Sequence, residues 1–204
     1  MIADERRQMA DLVDALTPQQ LNTPSLCGQW SVRDVIGHLV AAVAAPRLWF
    51  VPTLVRSGFR IHTANALVAH RMAQRTPSEL AASLREHANS RFKPPIVGYL
   101  GPLTDLQVHG QDIRRPLGLP HALQPERMRI SLDFLVGGHA VGFVPKKRLT
   151  GLRFEATDIG WSWGAGPTIR GQAEAMMLAV TGRPVVLLEL DGDGVTILRE
   201  RLIN

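Results

Sequence analysis

The chain has 204 residues and a mass of 22.4 kDa, 45% of them hydrophobic and 20% charged, which suits one globular domain, or a medium and a small one, with a true buried core. A single cysteine, Cys27, excludes an internal disulfide and fits a reducing compartment, and no run approaches the ~18 apolar residues of a membrane span. The net charge is +5, but the arginines are scattered and the densest cluster, Lys146-Lys147-Arg148, is short, so nucleic acid is not an expected partner.

The opening MIADERRQMADL is charged at once and lacks an apolar h-region, so a cytoplasmic protein without a signal peptide is expected. Met9, Leu12, Val13 and Leu16 recur at helical spacing and predict a helix over residues 3–16, and Thr17-Pro18 starts a further short turn. TPSLCGQW, residues 23–30, reads as a loop; Cys27 could be a nucleophile paired with a histidine, but nothing in SLCGQW argues for a lowered pKa and a buried, inert thiol is the better reading. Ser31 is a good N-cap, and Asp34 three residues on completes a shortened capping box. The helix it opens carries Val32, Val35, Ile36, Leu39 and Val43 as its apolar stripe. His38 lies about 120° from the centre of that stripe, beside Ala41, Ala42 and Ala45, in the manner of a cleft wall. A lone histidine there is ordinarily structural or solvated.

Pro46 ends that helix, and RLWFVPTLVRSG reads as an apolar, broken segment. A helix follows from His62 to about Gln74, with Ala66, Leu67 and Met72 as its inner candidates. Thr76-Pro77-Ser78-Glu79 gives an N-cap, a proline at the first helical position and an acid two residues later, opening a helix through Leu80, Leu84 and Ala88.

GPLTDLQVHGQDIRRPLG, residues 101–118, is the most informative stretch. Pro102 suits a first helical position, and Pro116 with Gly118 stops the helix. Asp105 and His109, at i and i+4, point within roughly 40° of each other, on the side that carries Leu106 and Ile113. An acid and an imidazole one turn apart on an inward face can form half of a metal site. Asp112, at i+3 from His109, is within reach as a further ligand or as an acceptor behind the imidazole. Arg114 and Arg115 directly follow and are candidates for holding an acidic substrate, although a solvated helix end explains them equally well. His62, His70, His87, His121 and His139 have no partner at ligand spacing.

Pro125-Glu126 starts another helix, with Ile130, Leu132, Leu135 and Val136, ending near Gly137-Gly138. After about residue 145 the pattern turns to strands: Leu152, Phe154 and Ala156 share one side, and Ile159, Trp161 and Trp163 alternate in the next run. Gly164-Ala165-Gly166-Pro167 turns the chain, GQAEAMMLAVTG is helical with Gly182 just past its end, and the last segment closes in a helix. The expected organisation is a helical bundle over residues 1–145 and a small α+β domain over 146–204.

SLCGQWSVRDVIGHLV, DLQVHGQDIRRPLG and GPTIRGQAEAMMLAVTGR together resemble the mycothiol-dependent maleylpyruvate isomerase-like family of the DinB/YfiT-like superfamily. The resemblance implies a mainly α fold, a DinB/YfiT-like four-helix bundle followed by a small α+β C-terminal domain, that holds one divalent metal, zinc or else nickel. Carried over residue by residue, it makes His38, Asp105 and His109 the metal ligands. It also implies a low-molecular-weight thiol, mycothiol, as cosubstrate of an S-transferase or isomerase acting on an electrophilic small molecule, in a monomer or homodimer. Asn65, Asp112, Arg114 and Arg115 are then candidates for holding the thiol or its partner. The chain departs from the family's E-x-x-x-H pair in having Asp105, shorter by one methylene, which can still ligate zinc if the helices approach more closely. The alternative is a non-catalytic metal or small-ligand binder on the same fold.

Overall fold

The computed structural model describes residues 1–120 and 123–203; His121 lies outside them, as does the side chain of His62. The fold is mainly helical with one small sheet, as expected. Two compact units form, one from Met1–Phe92 with Asp105–His121, the other from Lys93–Thr104 with Ala122–Asn204.

The first unit is built from α1 (Ile2–Ala15), α2 (Pro18–Leu21), α3 (Val32–Ala44), α4 (Arg47–Arg56), α5 (Ile61–Ala73), α6 (Pro77–Glu86) and the later part of α7 (Leu100–Arg114). Three helices begin on reciprocal capping boxes: Thr17 with Gln20, Ser31 with Asp34, and Thr76 with Glu79. Each pair satisfies two of the amide donors that a helix start leaves without partners. α1 packs on α6, and α3 on both α5 and α6. Val13, Leu21, Val35, Ile36, Leu80 and Ile113 are wholly buried in the core these helices share.

Two polar devices lock the frame. Arg6, buried on α1, donates through Nη1 to the carbonyls of His87, Ala88 and Ser90, which close the end of α6. Arg33 does the same for the end of α5, donating to the carbonyls of Ala73 and Arg75. Gly37 marks the closest approach of α3 to α5: a Cβ there would lie 2.8 Å from the Ala73 nitrogen and would also strike the Ala69 carbonyl. Only glycine lets the two backbones meet this closely.

Two expectations are corrected here. The segment after Pro46 is a helix, α4, which carries Pro52 in its interior. On α5 the inward residues are Ala64, Val68, Ala69 and Met72, whereas Leu67 is 48% exposed.

The second unit contains α8 (Pro125–Val136), α9 (Lys146–Leu149), β1 (Arg153–Ala156), β2 (Trp161–Gly164), β3 (Thr168–Gly171), α10 (Ala173–Val180), a 3₁₀ helix over Pro184–Glu189, and α11 (Gly194–Ile203). The sheet order is β2-β1-β3, with β2 antiparallel and β3 parallel to β1. Phe154, Ala156 and Ile169 are buried on the side where α10 packs, and α10 also meets α8. Trp161 is buried and donates from Nε1 to Asp133 at 2.7 Å. Ile159 belongs to the turn between β1 and β2 and not to a strand. The β3 strand and the 3₁₀ helix have no counterpart in the elements read from the sequence.

Candidate metal centre

α7 supplies most of the site. Its i, i+3 and i+4 spacings put Asp105, His109 and Asp112 on one side of a single helix. His38 comes from α3, one residue beyond Gly37. The close approach at Gly37 therefore fixes the height at which this imidazole leaves its helix.

The structure brings His38, Asp105 and His109 together. His38 Nε2 lies 3.3 Å from Asp105 Oδ2, and His109 Nε2 lies 3.4 Å from Asp105 Oδ1. One carboxylate thus stands between two imidazoles, whose rings meet edge to face at 5.0 Å. One donor atom from each of the three residues lies within 4.8 Å of the other two. On the far side of His109, Nδ1 lies 2.8 Å from Oδ2 of Asp112, whose side chain is fully buried. Asp112 therefore acts as an acceptor behind the ring. Its bond keeps a proton on Nδ1, so that a neutral His109 would have its Nε2 lone pair free for a cation, an arrangement typical of metal-binding histidines.

The electrostatics follow from that crowding. Burial alone would raise the Asp105 carboxyl, but the charges of His38 and His109, with hydrogen bonds from both, hold it well below the usual carboxylate range. Burial alone would lower His109, yet Asp105, then Asp112 and Cys27, raise it well above its ordinary value. Two carboxylates converging on one buried imidazole call for positive charge between them. A proton on His109 supplies it, and so would a divalent cation.

The donor set fits such a cation. Ligands about 2.0–2.1 Å from a tetrahedral zinc lie roughly 3.3 Å from one another, and each imidazole lies at about that separation from one oxygen of Asp105, His38 from Oδ2 and His109 from Oδ1. Two nitrogens and one carboxylate oxygen make three ligands, so a fourth position stays open for an exogenous group.

Two neighbours were not legible as site residues. Cys27 is half-buried, and its sulfur forms a second potential donor group with His109 and Asp112, the three donor atoms lying within 4.8 Å of one another. Trp30 stands with its ring 5.5 Å from that of His38. Both belong to the 23–30 loop, which is tied to α7 by a hydrogen bond from Leu26 N to the Asp112 carbonyl at 3.2 Å. No local pattern in SLCGQW signals that contact.

The remaining candidates lie elsewhere. Arg114 is roughly 140° around α7 from His109 and is buried, lining a separate recess. Arg115 is half-buried just beyond the end of α7, and Asn65 is exposed on α5.

Residues 2–93 match the family model described as the mycothiol maleylpyruvate isomerase N-terminal domain. The chain resembles that family, as its motifs suggested, and the matched part carries His38, whereas Asp105 and His109 lie beyond it. Two crystal structures of the mycothiol-dependent maleylpyruvate isomerase are also similar. One, a point mutant, is 13% identical, covers 95% of this chain and 93% of its own, and has a TM-score of 0.48. The other is 14% identical, with 90% of each chain covered and a TM-score of 0.46. No curated protein matches the chain.

Proposed function

We propose that the chain is a divalent-metal-dependent S-transferase or isomerase that uses a low-molecular-weight thiol, mycothiol, against an electrophilic small molecule. The observation that carries the reading is the convergence of His38, Asp105 and His109, with Asp112 buried behind His109. These residues would hold the cation, zinc or else nickel, through the Nε2 atoms of His38 and His109 and a carboxylate oxygen of Asp105. A cation held there lowers the pKa of a thiol bound at its open position, so that the thiol reacts as a thiolate. Asp112 fixes the His109 tautomer, and Asp105 offsets part of the cation's charge. Trp30 packs beside His38, its ring 5.5 Å from the imidazole. In this reading the metal chemistry belongs to residues 1–145, which contain all of these side chains, and residues 146–204 form an accessory domain.

The test begins with elemental analysis of the purified protein. Cobalt-substituted protein should then change its visible spectrum on addition of mycothiol, and mycothiol should support consumption of a reactive electrophile such as a halogenated nitroarene. His109→Ala should lose most of the metal. Asp105→Asn should blunt the spectral change even where cobalt is retained. If cobalt binds, yet no thiol perturbs it and no electrophile is consumed, the protein is a non-catalytic metal binder on this fold.

A further inference from the structure

The α4 helix and the turn after it carry an apolar face toward solvent. On α4, Trp49 packs against the core, and Thr53 and Leu54 are half-buried with it, which fixes the inward side. The opposite side carries Leu48, Pro52 and Val55, at i, i+4 and i+7 and within roughly 60° of one another. Leu48 is 85% exposed and Val55 57%, and Pro52 is exposed as well. The helix closes across Gly58, φ 62°, where the Phe59 amide donates to the Leu54 carbonyl at 2.9 Å. Phe59 then takes a left-handed backbone of its own, φ 61°, while remaining 72% exposed. Bulky residues rarely adopt that conformation, and such outliers gather where a protein meets a ligand or partner.

The charge along this part of the chain has one sign. Between Asp34 and Glu79 stand five arginines, Arg47, Arg56, Arg60, Arg71 and Arg75, and no acidic residue. Arg71 stacks over the Trp49 ring at 3.7 Å, and Arg75 donates to the Ser83 hydroxyl. Arg56 and Arg60 are exposed where the stripe ends, on either side of Phe59 in the chain. Apolar side chains bordered by arginines suit a phase that offers both hydrocarbon and negative charge, which is the surface of an anionic bilayer. A second copy of the chain fits poorly, because a two-fold contact would bring the arginines of both copies together. A stable complex with an acidic protein needs roughly 800 Å² from each partner, and the stripe with Phe59 offers on the order of a few hundred.

We propose that α4 and the Phe59 turn dock on an anionic phospholipid surface, with Leu48, Val55 and Phe59 entering the boundary between headgroups and acyl chains and Arg56 and Arg60 pairing with lipid phosphates. The contact is peripheral: among the described residues no helix is long and apolar enough to cross a membrane. The face includes none of His38, Asp105 and His109, so it stands or falls independently of the metal reading.

The experiment co-sediments the full-length protein with vesicles of phosphatidylcholine, alone or mixed with phosphatidylglycerol. The protein should bind the mixed vesicles at lipid concentrations on the order of 1 mM and the neutral ones far more weakly. Raising the salt to about 0.5 M should remove most of the binding. Phe59→Asn deletes the ring but suits a left-handed backbone, so the melting temperature should hold or rise while vesicle binding weakens about tenfold. Arg60→Gln should weaken binding about fivefold and leave metal content unchanged. No binding to the mixed vesicles, equal binding to both kinds, or binding that either variant leaves intact overturns the proposal. Dimerisation on size-exclusion chromatography, or capture of an acidic amphipathic peptide, in place of vesicle binding gives the face to a protein partner and overturns it as well.

Discussion

Asp112→Asn separates a residue that orients a ligand from one that merely packs beside it. Asp112 is fully buried and accepts from His109 Nδ1 at 2.8 Å, so its carboxylate fixes which ring nitrogen carries the proton. An asparagine can present its amide –NH2 to Nδ1 instead, and the imidazole must then place its proton on Nε2, the atom that faces Asp105. That tautomer has no lone pair to offer a cation. Loss of such outer partners typically weakens metal binding 10–100-fold, which is about 1.4–2.7 kcal/mol. Competition against a chromophoric chelator at fixed pH measures the change. A thermal melt of the metal-free variant confirms that the fold survives. An Asn variant that holds its cation as tightly as the wild type, while His109→Ala does not, would refute the orienting role.

Two further outcomes concern the frame around the site. Gly37→Ala drives a methyl group into the α5 backbone at Ala69 and Ala73, and should cost about 1–3 kcal/mol in a denaturant titration. Because His38 is the next residue, the same variant should also weaken cation binding. Burial works against the charge of Asp34, but the Ser31 hydroxyl and amide, with His70, hold its carboxyl below the ordinary value. A depressed carboxylate stabilises the fold above its unfolded pKa, and that contribution disappears as pH falls through the folded value. The stability advantage of the wild type over Asp34→Asn should therefore shrink as pH falls below about 5 and on through the lowered folded-state value. A constant difference across that range would show that the charge of Asp34 does not matter.

What could be read in the sequence was whatever is settled within one turn of chain. The capping boxes at Ser31/Asp34 and Thr76/Glu79 need only four residues to recognise, and both form. The shared side of Asp105 and His109 follows from helix geometry alone. α4 was hidden because Pro46 and Pro52 read as breaks, whereas one proline opens the way into the helix and the other is tolerated inside it. Leu67 looked inward by composition, but its place on α5 is set by how that helix meets α3, which no local pattern contains. The four-residue strand β3 earns its place only by lying parallel to β1, some 15 residues earlier, Arg153 opposite Thr168. Cys27 and Trp30 were missed for a similar reason: the loop that carries them is fastened to α7, more than 80 residues later, by Leu26 and Asp112.

The strand order β2-β1-β3 also dictates a sequence of events. β1 and β2 are neighbours in the chain and can zip together as a hairpin, an event of about 1–10 µs. β3 cannot join by extending that hairpin, because it must cross to the opposite edge of β1 and lie parallel to it. Its arrival closes a longer loop and brings in Ile169, whose burial alongside α10 rewards the crossing. Until then one edge of β1 has open amides and carbonyls, the form in which a strand most readily pairs with the wrong chain. Pulse-labelled hydrogen exchange during refolding should accordingly protect the β1–β2 pairing before β3, and aggregation during refolding should be governed by how quickly residues 168–171 dock.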